Sequence, residues 1–482
     1  MSGVAPATAQ SWQVLWPEQV QRLHEATLRL LSEVGVVFHS EEALETMRLH
    51  GVPVEGHTAR FPPHLVQWAI ETSPAEVTLR ARDPAKNVLL GNGHVHYTSC
   101  FGPVRVRPLG SSQTALATLD DLRRFTLLSD ALDNVSYCLF HVRPHEVPTG
   151  WHDVYSAAAM LPITGKHIHF SQDTAAHTDL LIRLGEVAAD AAGVEGPVFS
   201  LGCCPTSPLS YTEDACTKLL KAVSRGIPFL IVSGAMAGGT SPATLAGTLL
   251  VQNAEVLAGV TLAELVRPGA PVIYGTFSGG MDMRTGSFVM GGVELALMQA
   301  ASAQLCELYH IPLGYGSGGW TDAREPNVQA GLEKAGTLWA AALAGVEVIH
   351  SAIGGMLGGA EIADYAQMIV DDELCSMVNR ALRGIEVSET TLAYDLIREV
   401  GPGGQFLDTA HTARHFRKEH FLPRILERVT GEVEIEGILA RAGERASHIL
   451  ATHQPNRLSP AAAERIDELV KQAVEGSPGR AG

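Results

Sequence analysis

The chain lacks any CxxC pair, and its seven cysteines (Cys100, Cys138, Cys203, Cys204, Cys216, Cys306 and Cys375) are scattered and odd in number. That usage excludes a disulfide framework and fits the reduced thiols of a cytoplasmic protein. Charge is also scarce: charged residues make up 18% of the 482 residues and the formal net charge is -17. No phosphate-tracking nucleic-acid binder is expected from such a balance. The N-terminal text MSGVAPATAQSWQVLW has neither the basic start nor the apolar run of a secretion signal, and no uninterrupted stretch of ~18 apolar residues follows it. The longest apolar segment, around Thr244 to Val266, is broken by Gln252, Asn253, Glu255 and Glu264, so it reads as a buried helix and no membrane contact is expected. Internal repeats and low-complexity stretches are missing too.

What is present is core-forming material, since hydrophobic residues reach 46%. The length allows several domains or one large α/β barrel with extensions. Strand-like runs fall at His94 to Ser99, Val135 to Phe140, His167 to Phe170, Val198 to Leu201, Phe229 to Ser233, Val272 to Gly275, Leu313 to Tyr315 and Val346 to His350. Helix-like runs separate them near Leu119 to Leu132, Trp151 to Met160, Ala176 to Ala188, Thr212 to Ser224, Pro242 to Leu265, Val293 to Tyr309, Val328 to Leu343 and Glu361 to Leu382. Eight strands each followed by a helix is the count of an α/β TIM (β/α)8 barrel, with a doubly wound open sheet as the alternative. The pattern predicts three parts. Residues 1–85 form a helical N-terminal cap, with helices over Pro17 to Val36, Glu41 to Leu49 and Pro62 to Glu71. Residues 86–385 form the barrel, and residues 386–482 a helical C-terminal extension with helices over Phe416 to Thr430, Glu432 to Ala442 and Pro460 to Glu475 and a frayed tail from Gly476.

The strand ends favour the barrel. Small or chemically useful residues follow them at once: Cys100 and Phe101; His141; Ser171 and Gln172; Gly202, Cys203 and Cys204; Gly234 and Met236; Thr276 and Phe277; Gly316 to Trp320; Ser351 and Gly354. In a TIM barrel that C-terminal rim carries the reaction. The stretch IPLGYGSGGWTDAREPNVQA, Ile311 to Ala330, joins a strand to a helix through a glycine-rich turn and is a candidate active-site loop. Neither GYGSGG nor GAMAGG is a GxGxxG fingerprint or a P-loop, so a dinucleotide enzyme is not expected.

Several blocks in order carry a resemblance. GAMAGGTSPATLAGTLLVQNAEVLAG (Gly234 to Gly259), RPGAPVIYG (Arg267 to Gly275), MDMRTG (Met281 to Gly286), TDAREPNVQAGLEKA (Thr321 to Ala335) and DDE (Asp371 to Glu373) resemble the trimethylamine methyltransferase family over most of the chain. The resemblance implies a TIM barrel and a corrinoid-dependent methyltransferase. No pyrrolysine occurs here, so the chain looks like the non-pyrrolysine branch, whose characterised members demethylate quaternary amines such as glycine betaine, proline betaine or carnitine-like compounds. It further implies no cofactor held tightly by this chain, and a methylcobamide or cobalamin presented by a partner corrinoid protein. Asn327 stands where the family usually has aspartate.

A quaternary ammonium already has a neutral tertiary amine as leaving group, so no general acid is needed and no catalytic residue is singled out. The burden falls on orientation and water exclusion. A cation without an N–H calls for aromatic faces, each worth ~0.5 to 2 kcal/mol. Tyr97, Phe101, Phe140, Tyr274, Phe277, Tyr315 and Trp320 fall at predicted strand ends, with Tyr315 and Trp320 foremost because of their glycine neighbours; barrel packing is the alternative for each. Gly316, Gly318 and Gly319 are assigned to clearing space for a corrin ring. A betaine carboxylate would need donors, for which Arg143, Gln172 and Ser207 are candidates. His141, His169 and His350 are expected either to touch substrate or to be satisfied core histidines. Asp322 is read as a loop-fixing or helix-capping residue. Two other readings stay open: a zinc-dependent methyltransferase using His141, His145, His152, Cys203 or Cys204, although their spacing is no recognised zinc pattern and no metal is expected, and a betaine-binding sensor. A chain of this size is expected to form a homo-oligomer.

Overall fold

The run FLIVS at Phe229–Ser233 is buried at every position, as a parallel strand covered on both faces must be. It is the fifth of eight parallel strands: β1 His96–Thr98, β2 Val135–Tyr137, β3 Ile168–His169, β4 Phe199–Cys203, β5 Phe229–Ser233, β6 Val272–Thr276, β7 Leu313–Ser317 and β8 Val348–His350. The computed structural model describes residues 12–170, 172–428 and 437–476. Neighbouring strands pair in chain order, β5 with β6 from Phe229↔Val272 to Ser233↔Thr276. β8 then returns to β1 through Val348↔His96 and Ile349↔Tyr97, which an open doubly wound sheet does not do. A parallel bridge between Cys138 and Ile168 links β2 to β3, with the Cys138 N–H donating to His167 O and the His169 N–H to Cys138 O, both at 2.9 Å. The fold is a TIM (β/α)8 barrel.

Each strand is followed by a helix of the outer ring: α1 Leu119–Ala131, α2 His152–Met160, α3 Thr178–Ala192, α4 Glu213–Ser224, α5 Leu245–Val266, α6 Val293–Tyr309, α7 Val328–Leu343 and α8 Tyr365–Leu382. α5 is long and apolar enough by composition to cross a membrane, yet most of it is packed inside the protein. The cause is the N-terminal helices, of which Pro17–Glu33 and Pro63–Thr72 pack across its outer side while the barrel covers the inner one. Its polar interruptions are therefore all partnered: Glu255 accepts from Ser233 Oγ at 2.6 Å, Ser207 Oγ at 2.9 Å and Leu209 N at 2.8 Å. Asn253 Nδ2 donates to Thr27 Oγ1 at 2.9 Å and Tyr309 OH at 2.8 Å, so the buried polar groups fix how the leader helix seats on the barrel.

The bottom of the barrel is plugged. A hairpin, Val77–Leu79 paired with Val88–Leu90, packs its apolar side chains against Tyr137, Leu230, Val232, Ile273 and Val348 inside the ring. At the far end of the chain, the helix Ile438–Thr452 lies on α8 and α1, and Pro460–Glu475 lies on α2 and α3. Two of the helices expected in this part shift at both ends. The helix expected to begin at Phe416 begins at Ala410, capped by Thr409 Oγ1 accepting from Thr412 N at 3.2 Å. It stops at Glu419, where His420 turns to extended backbone, well short of the expected end at Thr430. The second is described from Ile438 and runs to Thr452, past its expected end at Ala442, while its expected start at Glu432 lies outside the described residues. Residues 1–11, Ser171, 429–436 and 477–482 lie outside the described residues, and with them fall parts of the expected helices, the expected tail and one strand-end position.

Candidate active site

A cavity of about 510 Å³ opens at the C-terminal ends of the strands. Its floor comes from side chains on the strands themselves, His169 of β3, Val232 of β5, Tyr315 of β7 and His350 of β8. Its rim comes from the loops that follow: Phe101 and Gly102 after β1, Phe277 and Met290 after β6, Trp320 after β7, and Met356 with Ala360 after β8. One wall is polar, with Gln172, Cys203, Cys204 and, from α4, Asp214 and Lys218.

The floor is a packed set of rings. Tyr315 stacks on His350 with centroids 3.6 Å apart and planes at 22°, so one of its faces is already covered. His169 stands edge-on to His350 at 6.3 Å, and Phe277 lies tilted at 6.3 Å from Tyr315. Above them the Trp320 indole Nε1–H donates to the His350 carbonyl at 2.8 Å, which ties the rim of β7 to the end of β8. His169 Nδ1 lies 3.0 Å from Ser200 Oγ. Both ring nitrogens of His350 are buried without a hydrogen-bond partner among the described residues. Burial drives the His350 pKa well below its ordinary value, with His169 adding to the effect, and burial likewise pulls His169 down to about 3. Both imidazoles are neutral at physiological pH, because the enclosure disfavours the charged form. The same burial raises the Tyr315 phenol far above its usual range, so it remains an O–H donor.

The rim loops are held by buried polar contacts contributed by the family-like blocks. Lys334 Nζ of α7 donates to Gly319 O at 2.9 Å and to Asp371 Oδ2 of α8 at 3.1 Å. Asp371 also accepts from Gly355 N at 2.8 Å and Gln367 Nε2 at 2.9 Å. Next in the DDE block, Asp372 Oδ1 accepts from Asn134 Nδ2 at 2.8 Å and Glu373 from Arg424 N at 2.7 Å. These acids are structural fasteners. Asp322 is another: its two carboxylate oxygens accept from Met290 N at 3.1 Å and Gly291 N at 3.0 Å, while the cap of α7 is supplied by Asn327, whose side chain accepts from Ala330 N at 3.2 Å. Asp322→Ala is therefore expected to leave two partly buried amides unpaired, at about 1 to 3 kcal/mol each if they stay dry. Amide exchange at Met290 and Gly291 is the check; protection equal to that of the parent would remove Asp322 from the role of loop anchor.

Of the residues singled out in the sequence, Phe101, His169, Gln172, Phe277, Tyr315, Trp320 and His350 line this cavity. Of the strand-end positions, Gly202, Cys203, Cys204 and Ser351 line it as well, whereas several of the other candidates do not reach it. Tyr97 points outward and donates its OH to Asn379 Oδ1 at 2.9 Å on α8. Tyr274 likewise faces outward, donating to Asn253 Oδ1 at 3.2 Å on α5, and Phe140 packs on Phe170 at 5.7 Å in the outer core. His141 is stacked on Phe125 at 4.1 Å with Nε2 2.9 Å from Gly354 O: it is a packed core histidine. The three glycines assigned to a corrin ring each have a packing reason of their own. A side chain at Gly316 would collide with Val346, one at Gly318 would come within 2.9 Å of Ile349, and Gly319 has φ +72 beside Ala352. Arg143 is paired with Asp173 at 2.8 Å and Ser207 with Glu255 at 2.9 Å, and neither lines the cavity. Among the described residues no three His, Cys, Asp or Glu side chains converge as a metal cluster. The set that a zinc site would need is dispersed, with His152 3.4 Å from Asp173 and His145 3.4 Å from Glu146.

Asp214, Lys218, Met290 and Met356 were missed as cavity residues. The methionines had a signal: each sits beside glycine in a loop after a strand, in FVMGG and GGMLGG. Lys218 had a weaker one, as a lysine on the apolar face of α4 four residues after Asp214, which it meets at 2.6 Å.

A closed parallel barrel whose cavity sits at the C-terminal mouth, floored by rings and rimmed by loops, defines a TIM-barrel enzyme. The chain belongs to the trimethylamine methyltransferase family, whose model matches residues 4–477, and it is a methyltransferase of that family. It is 34% identical over 468 residues to the glycine betaine methyltransferase of Desulfitobacterium hafniense (strain Y51), covering 96% of this chain and 97% of that protein. It is 31% identical to the trimethylamine methyltransferase of Desulfitobacterium hafniense (strain DSM 10664 / DCB-2), over 95% of this chain and 93% of that one. It is 33% identical to that of Methanosarcina barkeri, over 91% and 90%. Among solved structures, the monomethylamine methyltransferase of Methanosarcina barkeri superposes with a TM-score of 0.53 at 14% identity, over 90% of this chain and 86% of that one; at that identity the likeness shows the fold.

Proposed function

We propose that this methyltransferase demethylates a quaternary amine of the betaine class and passes the methyl group to a corrinoid carried by a separate protein. The observation that carries the reading is the mouth cavity, which combines an aromatic and methionine rim, Phe101, Phe277, Trp320, Met290 and Met356, with neutral rings beneath it. Aromatic faces bind a fixed cation that offers no N–H. The rim around the opening is apolar, with small Gly102 and Ala360 among it, and suits the approach of a broad planar acceptor. The reduced corrinoid would supply the nucleophile that takes the methyl carbon, leaving the C–N electron pair on a neutral tertiary amine. This chain's own residues bind the cation, aim its methyl outward and keep water away, and none of them has to move a proton. The 34% identity to a glycine betaine methyltransferase over nearly the whole chain supports the substrate class.

We further propose a cytoplasmic setting and a homo-oligomer. The stretch from Ile385 to Leu422 leaves Ile385, Val387, Tyr394 and Leu407 exposed, an apolar surface that a second copy would cover. The test of function is to mix the purified chain with glycine betaine and a reduced corrinoid protein and to follow the cobalt absorbance together with release of dimethylglycine. Both are expected to require the corrinoid protein. Demethylation at the same rate without it would overturn the reading, as would no transfer from any quaternary amine.

A further inference from the structure

The cavity is polarised along the barrel axis, and the polarity selects both a substrate class and the way it lies. The inference rests on the proposed function. The bottom of the barrel is plugged by the Val77–Leu79 and Val88–Leu90 hairpin, so a methyl acceptor carried by another protein can reach a bound substrate only through the mouth. The methyl-bearing nitrogen must then face the rim, where Phe101, Phe277 and Trp320 stand, and whatever the nitrogen is attached to must point at the floor. That floor holds His350, 1% exposed, with neither ring nitrogen partnered. A neutral imidazole carries one donor and one acceptor, and burying them unpaired is costly unless a ligand completes them. Beside it stand the Tyr315 phenol, stacked at 3.6 Å, and His169, which spends Nδ1 on Ser200 at 3.0 Å.

The alternative anchor for an anionic group would be the one lysine on the cavity wall. Lys218 is already committed, with Nζ 2.6 Å from Asp214 Oδ2 and 3.1 Å from Gln172 O, and the Lys218–Asp214 pair presents no net charge. The floor is thus the better receptor, since among the described residues the His350 ring nitrogens have no partner and no carboxylate stands beside them to compete.

We infer that the floor formed by His350, Tyr315 and His169 is a carboxylate receptor, so that the substrate is a short N-methylated zwitterion held with its carboxylate down and its quaternary ammonium up at the rim. His350 acts as a specificity-determining residue: it accounts for preference between a betaine and a quaternary ammonium of the same size that lacks the carboxylate.

Calorimetric titration of the full chain with glycine betaine and with choline, which replaces the carboxylate by a hydroxymethyl group, tests this without any corrinoid. The parent is expected to bind glycine betaine at least tenfold more tightly than choline. His350→Phe is expected to remove most of that preference by weakening glycine betaine at least tenfold while changing choline less than threefold, and Tyr315→Phe, which deletes one hydroxyl, to reduce it in the same direction. Equal affinities of the parent for the two ligands would overturn the inference while leaving the proposed function standing, and need no variant that folds. Parallel loss of both ligands in His350→Phe together with an unchanged preference in Tyr315→Phe would also overturn it. Binding of neither ligand by the parent would overturn the proposed function and this inference with it.

Discussion

Lys334→Ala lowers the unfolding free energy by about 3 to 5 kcal/mol, because it strands a buried carboxylate. Lys334 and Asp371 are 1% and 2% exposed at their side chains and 3.1 Å apart, so solvent screens neither. Two helices and two loops meet at this pair: Lys334 of α7 holds Gly319 in the loop after β7, and Asp371 of α8 holds Gly355 in the loop after β8. Removing the ammonium leaves the carboxylate with the Gly355 N–H and the Gln367 amide alone. The sign of the pH dependence follows. Burial already raises the Asp371 pKa, and Lys334 opposes that rise; without the lysine the folded-state value climbs further above its unfolded value of ~3.9. A carboxyl raised in the folded state contributes stability that is present below the unfolded pKa and lost as pH rises through the folded one. The deficit of Lys334→Ala relative to the parent is therefore larger at pH 7 than at pH 5, as chemical denaturation at the two values would show. Lys334→Met combined with Asp371→Asn removes both charges but keeps an acceptor for Gly355, and is expected to recover more than half of the loss. A single variant as stable as its parent at pH 7 would show that the pair does not fasten the mouth.

The strands and helices were legible because the barrel's covering ring makes its strands continuously apolar and its helices amphipathic or buried. The same continuity hid which side chains face inward. β6 reads VIYGT and is buried at all five positions, so no polar residue marks its outer side. Ile273 turns into the ring while Tyr274, one residue on, turns out to Asn253. A shift of one residue exchanges the two faces, and an apolar strand carries no sign of which register holds. Tyr97 and Tyr274 were in this way taken for mouth residues, whereas Tyr315, on a strand with the same ambiguity, does line the cavity. The glycines are ambiguous for a related reason. Gly318 is required because a side chain there would come within 3.1 Å of Thr337 O and 2.9 Å of Ile349, and a glycine that admits a neighbouring strand reads the same as one that admits a ligand. The family-like blocks reported the overall architecture well because several of them, DDE and the Thr321 to Ala335 stretch, hold the loops in place.

Trp320→Ala is expected to show the largest combined effect on stability and binding. The side chain is 4% exposed, and truncating a buried tryptophan costs about 3 to 5 kcal/mol through lost contacts and the void left behind. It also frees the His350 carbonyl, which the indole N–H holds at 2.8 Å. Affinity for a quaternary ammonium should fall at least several-fold, in keeping with ~0.5 to 2 kcal/mol for one aromatic face. Two causes are confounded in that variant, and Trp320→Phe separates them, since it keeps a ring at the rim while deleting the N–H. If the ring binds the cation, Trp320→Phe retains most of the affinity for choline and glycine betaine alike, and its stability falls by about 1 to 3 kcal/mol for the unpaired carbonyl. If instead the indole acts by positioning His350, Trp320→Phe loses glycine betaine selectively, in the pattern expected of a disturbed floor. Unchanged affinity for both ligands in a folded Trp320→Ala would remove the rim of β7 from the site altogether.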